Sequence, residues 1–484
     1  MSKNEKSRQE NIKRPGPRTA LLATTALLLA AQPATGQVVW QANENRAWSN
    51  PNNWDTGSIP TSTDDVEINL SGFDGPIIGN IEGVSFETRN MVVGTTDEAL
   101  LLINARELET HGLVTLGQQA GSFGDMRMRT HWIAHDDIIV GDEGMGVLVL
   151  SDSYGGVSGG LDVEEGKSIT IARGSGSEGE FRIGDGWTPG KLNVSTINFG
   201  DGTGTLIFNH NATEVNSYQF AADLESTGTG NHAIEHLAGV TTYTGDGSGF
   251  TGATTVSGGA LVITGNLGSS SVTVSGDDGA ELQILSGGHL ESIGTANIGN
   301  SADPSSTILV SGSGSIWTNE GSIWIGRLGA GSVAIEAGGH IDSGNVEVGG
   351  LPAPDRSQIA VDDGTWDLGS LYAGLATIEV RNGAVVINDG IARLGNGGNR
   401  HTELTISNSE WTTTGRFEVG WQSSADVSVV HGGTLETAET VLGDFGVHGR
   451  LTISDLGSTW TASGDITLGN NGKGTLTISS QAEV

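Results

Sequence analysis

The sequence predicts an all-β chain, a right-handed, single-stranded parallel β-helix with about 24 residues per coil, preceded by a signal peptide. Three observations carry this. A short phrase returns at a nearly constant interval, apolar positions inside it alternate with period two, and the composition is rich in glycine and thin in apolar residues. With Gly 77 among 484 residues and 36% hydrophobic residues, the chain lacks material for one deep globular core. A slim core shared along a solenoid needs less.

The phrase is an apolar residue, a glycine, a polar loop, and then an apolar-x-apolar triplet. Leu394-Gly395 leads to Leu404-Thr405-Ile406, Leu442-Gly443 to Leu451-Thr452-Ile453, and Leu468-Gly469 to Leu476-Thr477-Ile478. Its glycines fall at 299, 326, 349, 374, 395, 420, 443 and 469, between 21 and 27 residues apart. Gly94, Gly117 and Gly141 keep the same beat, and Gly184 follows after 43 residues, about two beats. Alternation in Val147–Leu150, Ile308–Val310, Ile378–Val380 and Val427–Val429 marks strands with one buried face. No segment after residue 40 sustains a helical stripe, so Gly/Asn/Asp/Ser turns separate short strands. Each coil then exposes strand edges that only the next coil can pair and cover, and roughly 18 coils are expected. Trp317, Trp366, Trp411 and Trp460 recur at 49, 45 and 49 residues, near a propeller-blade period. The finer beat inside that spacing makes two coils per tryptophan the better reading.

Along the chain, residues 1–36 read as a signal peptide. Lys3, Lys6, Arg8, Lys13, Arg14 and Arg18 precede the apolar run Ala20–Ala31, and Ala34-Thr35-Gly36 offers small residues for cleavage. Residues 37–90 are expected to hold a cap and the first coils, and 91–198 further coils. Residues 199–297 form a distinct repeat region, and 298–484 a long array that stops in mid-repeat.

Two stretches resemble known sequences. Gly202–His210, Tyr218-Gln219-Phe220, Thr242–Gly245 and Phe250–Ile263 are similar to the passenger-associated β-strand repeat of autotransporters, the type V secretion family. The "S-x-W-T" and "L-T-I-S" phrases of 298–484 resemble adhesin-like arrays in that family. The resemblance implies a β-helical passenger exported through an outer-membrane barrel, often acting in adhesion or aggregation. That translocator barrel is not encoded in this chain, since no alternating, aromatic-girdled strand set follows residue 478. The implied location is the cell surface, outer membrane or extracellular space of a Gram-negative bacterium.

Charge narrows the partners. The formal net charge is −34; residues 1–36 carry a surplus of four positive charges, leaving −38 on the rest. Such a surface repels nucleic acid and anionic lipid. Cys 0 excludes a disulfide framework.

Several constellations invite chemistry and have a plainer reading. His232, Glu235 and His236 spell H-x-x-E-H, but on a strand two residues four apart lie about 13 Å from each other and cannot chelate one ion. His131 and His135 share that spacing and that objection. Trp40, Trp48 and Trp54 with Asn50, Asn52 and Asn53 could stack on sugars, although a cap closing the solenoid end explains them better. Asp142, Asp185, Asp201 and Asp444, with Asn300, Asn396 and Asn470, follow the phrase glycine and could ladder calcium; their aptitude for turns suffices. Asp136-Asp137, Asp277-Asp278 and Asp362-Asp363 lack the shared pocket that acid–base work needs. Gly160–Ser168 is one residue too long for a phosphate loop, and Gly247-Ser248-Gly249 lacks a nucleophile's strand-turn-helix setting.

The expectation is therefore a non-enzymatic surface adhesin or autoaggregation factor with no catalytic residue, no metal and no cofactor. Its partners would be host or neighbouring-cell surface molecules, with self-association possible through side-by-side contact. The alternatives are a stalk displaying a further domain, or a polysaccharide-degrading enzyme whose site would lie in the irregular segments Ser151–Lys167 or Leu351–Arg356.

Overall fold

A computed structural model describes residues 36–484 except 71–74, 80–85, 105, 153–158, 277–278, 300–305, 351–354 and 399. Residues 36–484 form one compact unit. It is a parallel β-solenoid of about 16 turns with coils of about 25 residues and 58% of its residues in strands. There are fewer turns than the roughly 18 the spacing suggests, because cap and insertions consume chain. The proposed signal peptide, Asp277-Asp278 and Asn300 lie outside the described residues. Among those described, the helical content is one 3-10 turn, Pro51–Asn53.

In the N-terminal part each turn carries three strands, and each strand pairs in parallel with its equivalents one turn before and after. The first face stacks Glu98–Ile103, Phe123–Met128, Met145–Leu150, Glu178–Ile183 and Thr203–Asn209. The second stacks Phe86–Thr88, Leu108–Thr110, His131–Ala134, Gly160–Val163 and Lys191–Asn193. The third runs through Val114–Leu116, Ile138–Val140, Ser168–Ile171 and Thr196–Phe199 to Asp223–Ser226.

Alternation places one residue in two inside, and register turns those residues into columns. Leu101, Met126, Leu148, Phe181, Leu206 and Ile234 stack along the first face, all buried. The C-terminal array stacks Trp317, Ile341, Trp366, Val386, Trp411, Leu435 and Trp460. A tryptophan every second turn alternates with a smaller side chain, so bulk is shared between neighbouring layers. This accounts for the wide tryptophan spacing. The indole N–H of Trp366 donates to Ser343 Oγ at 3.0 Å, and that of Trp460 to Thr437 Oγ1 at 3.0 Å.

The glycine beat has a structural cause at the corner that leads into the longest strand. Gly117 has φ +68, and a Cβ on it would sit 2.1 Å from the Met145 carbonyl oxygen of the next turn. Gly443 has φ +77, with the Lys473 oxygen at 2.3 Å from such a Cβ. A left-handed backbone pressed against the following turn leaves room only for hydrogen. Gly184 does not belong to this series. It closes the six-residue strand Glu178–Ile183, and the equivalent corner is held by Ala172 at φ 54 after Ser168–Ile171. A beat counted in glycines skipped that turn because an alanine fills the corner.

The region 199–297 changes the assignment of faces. A stack begins at Tyr218–Phe220 and continues through Val240–Tyr243, Gly259–Ile263 and Ala280–Leu285 to Lys473–Ile478. It takes the second-face place in chain order and acquires the six-residue strands. The first face meanwhile shrinks from His232–Ala238 to Ala253–Val256 and then Ala296–Ile298. Turns shorten here: Ala233, Ala253 and Ser271 are register partners, 20 and 18 residues apart. The same strand–glycine–long-strand phrase thus runs on both sides of this region, advanced by one face.

Candidate functional site

Where the faces change roles, one sheet ends and another begins. The last second-face strand is Lys191–Asn193, and the new stack opens at Tyr218–Phe220. Between them the chain runs out through Asn211–Ser217, closed by a Thr213–Asn216 bridge. A cleft of about 770 Å³ occupies this break, within the size range of small-ligand sites. Amides and hydroxyls of Asn193, Asn211, Thr213, Asn216, Ser217 and Gln219 line it, with Asp152, Asp162 and Lys191 at its N-terminal side. Tyr218 also lines it; the tyrosine is 8% exposed and its hydroxyl is buried without a hydrogen-bond partner. Burial pushes the Tyr218 hydroxyl pKa up, so it stays a neutral donor.

The outward surface of the second face leads from this cleft toward the N-terminus and is dense in histidine and carboxylate. Register aligns Glu87, Glu109, Ile133, Asp162 and Asn193 in one outward row. His131 sits between Glu107 and Asp162, each at 2.7 Å. Burial alone would lower its pKa, but those two carboxylates outweigh burial and hold it above the usual imidazole value. His135 is held by Glu109 at 2.8 Å and Glu164 at 2.9 Å, which raise its pKa. His111 stacks on His135 with ring centroids 5.0 Å apart and planes 5° from parallel.

The chain matches no family model, no curated protein and no solved structure. Its chemistry has to be read from its own side chains.

The candidates named from the sequence separate cleanly in the fold. His232 and His236 point inward from the strand His232–Ala238 and have private partners. His232 contacts the Gly200 carbonyl at 2.7 Å and Ser226 Oγ at 3.0 Å. His236 contacts the Gly258 carbonyl at 2.8 Å and Thr241 Oγ1 at 3.1 Å, and His210 reaches the same hydroxyl at 2.9 Å. Desolvation lowers the pKa of His236 to about 4, and that of His210, with repulsion from His236 added, to about 4. His210 and His236 are thus buried neutral histidines in a polar patch of the core, and no shared ion site joins His232 and His236 to Glu235.

Trp40, Trp48 and Trp54 are at most 2% exposed, and Trp54 meets each of the other two edge-on at 4.9 and 4.8 Å. With their ring faces covered they cannot stack on a sugar. Asn53, fully buried, knits Asn45 and Ala47 beneath them, and Asn50 caps the 3-10 turn. This is an end cap.

The turn acids are engaged locally. Asp142 pairs with Arg173 at 2.5 Å, Asp201 accepts from the Thr229 N–H at 3.0 Å, and Asp444 meets Asn470 at 3.3 Å. Asp136 pairs with Lys167 at 2.7 Å and Asp137 takes the Ser168 N–H at 2.8 Å. Asp362 binds Arg381 at 2.9 Å and Asn382 at 2.6 Å. Gly160–Val163 is a strand, so no phosphate loop forms, and Ser248 lies in a turn capped by Asp246 at 3.0 Å.

Of the two irregular segments, the described part of Ser151–Lys167 supplies Asp152, Gly159 and Asp162 to the cleft. In the other, Arg356 braces the Ala376 carbonyl at 2.8 Å. The residues that sequence reasoning missed are His111 and the amide-rich stretch 211–219. A one-coil spacing, His111 to His135, was the available signal for the first. The break in phrase between Leu192 and Tyr218 was the signal for the second.

Proposed function

We propose that this chain is an exported, autotransporter-type passenger that works at the cell surface by binding, with the cleft between Lys191–Asn193 and Tyr218–Phe220 as its recognition site. The observation that carries this is the lining of the cleft by the polar side chains of Asn193, Asn211, Asn216, Ser217 and Gln219, with Gln219 on the outward side of its strand. Such a lining pairs with a polyol or glycan, whose hydroxyls both donate and accept. The signal-like N-terminus and the passenger-like repeats support export to the surface. Nucleic acid is disfavoured by the formal net charge of −34.

The test is adhesion and autoaggregation of cells displaying residues 37–484 on a supplied outer-membrane barrel, against cells with the barrel alone. Adhesion that falls in Asn211→Ala and in a combined Asn216→Ala, Gln219→Ala variant supports the reading. Adhesion indifferent to all three changes rules the cleft out as the recognition site. A second reading, polysaccharide cleavage, draws on Asp152, Asp162 and Lys191 lining the same cleft. Release of new reducing ends from a polysaccharide, lost in Asp162→Asn, would favour it over binding.

A further inference from the structure

Glu109, His111 and His135 offer ligand atoms that all lie within 4.8 Å of one another. They come from two successive turns, because Glu109 and His111 bracket Thr110 while His135 follows the strand directly above. His135 Nε2 is 2.8 Å from Glu109 Oε1, and His111 Nε2 is 3.9 Å from the same oxygen. A third turn contributes Glu87, whose Oε2 is 3.8 Å from His111 Nε2.

We propose that Glu109, His111 and His135, with Glu87 as fourth donor, bind one divalent transition-metal ion of the zinc class across three stacked turns. Two imidazole nitrogens and two carboxylate oxygens suit zinc, whereas calcium and magnesium prefer oxygen alone. Two features of the fold support the assignment. Glu87 and Glu109 are register partners on adjacent strands, a like-charge pair that a cation between them would relieve. The remaining ring nitrogen of His135, Nδ1, is held by Glu164 at 2.9 Å, the carboxylate–imidazole support that orients metal-binding histidines. The parallel His111 and His135 rings bring both Nε2 atoms to the same side of the sheet, and small rotamer changes close them on one ion. Four protein donors leave no open position, so the ion would act as a staple between turns.

The separation that makes H-x-x-x-H useless along one strand is the reason this set works across strands. His131 and His135 face different carboxylates, while residues one coil apart are brought within one strand spacing.

The experiment is titration of the full chain with Zn²⁺ by calorimetry, with Ca²⁺ and Mg²⁺ as controls, together with the absorption spectrum of the Co²⁺ form. The expected result is one Zn²⁺ per chain, weakened more than about tenfold in His111→Ala and in His135→Ala. His131→Ala should bind as the unsubstituted chain does, and Glu164→Gln should weaken binding about 10–100-fold through its support of His135. Circular dichroism checks that each variant is folded. The Co²⁺ spectrum of the unsubstituted chain tests the site without mutation, because an N₂O₂ tetrahedral ion absorbs far more strongly than an octahedral aqua ion. No Zn²⁺ bound, an octahedral Co²⁺ spectrum, or an affinity unchanged in both folded histidine variants would overturn the proposal.

Discussion

The N-terminal turns and the C-terminal array are built from the same corner but spend their surfaces differently. In the array from Ala280–Leu285 to Lys473–Ile478 nearly every long strand stacks in unbroken register on the next. Its core alternates tryptophans with smaller side chains, and a register shift between Thr413 and Arg416 interrupts one of the outer pairings. In the N-terminal part the core columns are as regular, yet the second face carries histidines, carboxylates and an outward excursion. The contrast teaches that core columns fix the solenoid, while departures on one outer face create the candidate sites. A departure is tolerated there because each turn contacts only its neighbours.

The largest expected effect tests whether the two parts share one corner. Gly117→Val and Gly443→Val each force a β-branched residue into a left-handed backbone and against the carbonyl of the next turn. Each should cost roughly 4 kcal/mol or more in chemical denaturation. Hydrogen exchange should rise only in turns near the substitution. A small loss at one glycine beside a large loss at the other would break the equivalence.

Next comes the core. Trp411→Ala removes a buried indole and should cost about 3–5 kcal/mol. Trp411→Leu should recover much of that, since Leu435 already occupies the neighbouring layer of the same column. Equal destabilisation by both changes would mean that the alternation of sizes is not what the column requires.

The junction between the two parts should be its acid-labile point. His236 is fully buried with a folded pKa of about 4, against an ordinary value of 6.5. The unfolded chain therefore binds the proton more readily. This contribution to stability is complete above pH 6.5 and is lost as pH falls toward 4, by on the order of 3 kcal/mol. His236→Gln should make the stability profile shallower in that window, leaving the share that His210 contributes with its folded pKa of about 4. An unchanged profile would place the acid sensitivity elsewhere.

The smallest effect concerns the cleft. Tyr218→Phe removes a hydroxyl that is buried without a partner, so stability should stay within about 1 kcal/mol or rise slightly. A larger loss, read in chemical denaturation, would mean that the hydroxyl has a partner in the core.

Much of this architecture is legible in the residues alone. Left-handed corners demand glycine, strands demand alternation, and both are local properties of the chain, so the period and the all-β class follow from reading along it. That Trp40, Trp48 and Trp54 would be buried and not offered to a sugar was legible too, because a solenoid end needs covering. Gly184 misled for a local reason: Ala172 adopts the same left-handed corner, and nothing in the one-letter sequence marks it. Which face a strand lies on, and what stands one turn above it, depends on the summed length of every loop between. That sum brings His135 over His111, shifts the long strands by one face across residues 199–297, and opens the cleft beside Tyr218. Sequence determined the repeat because backbone geometry repeats locally; tertiary structure decided the sites because contact between turns is set by stacking across whole coils.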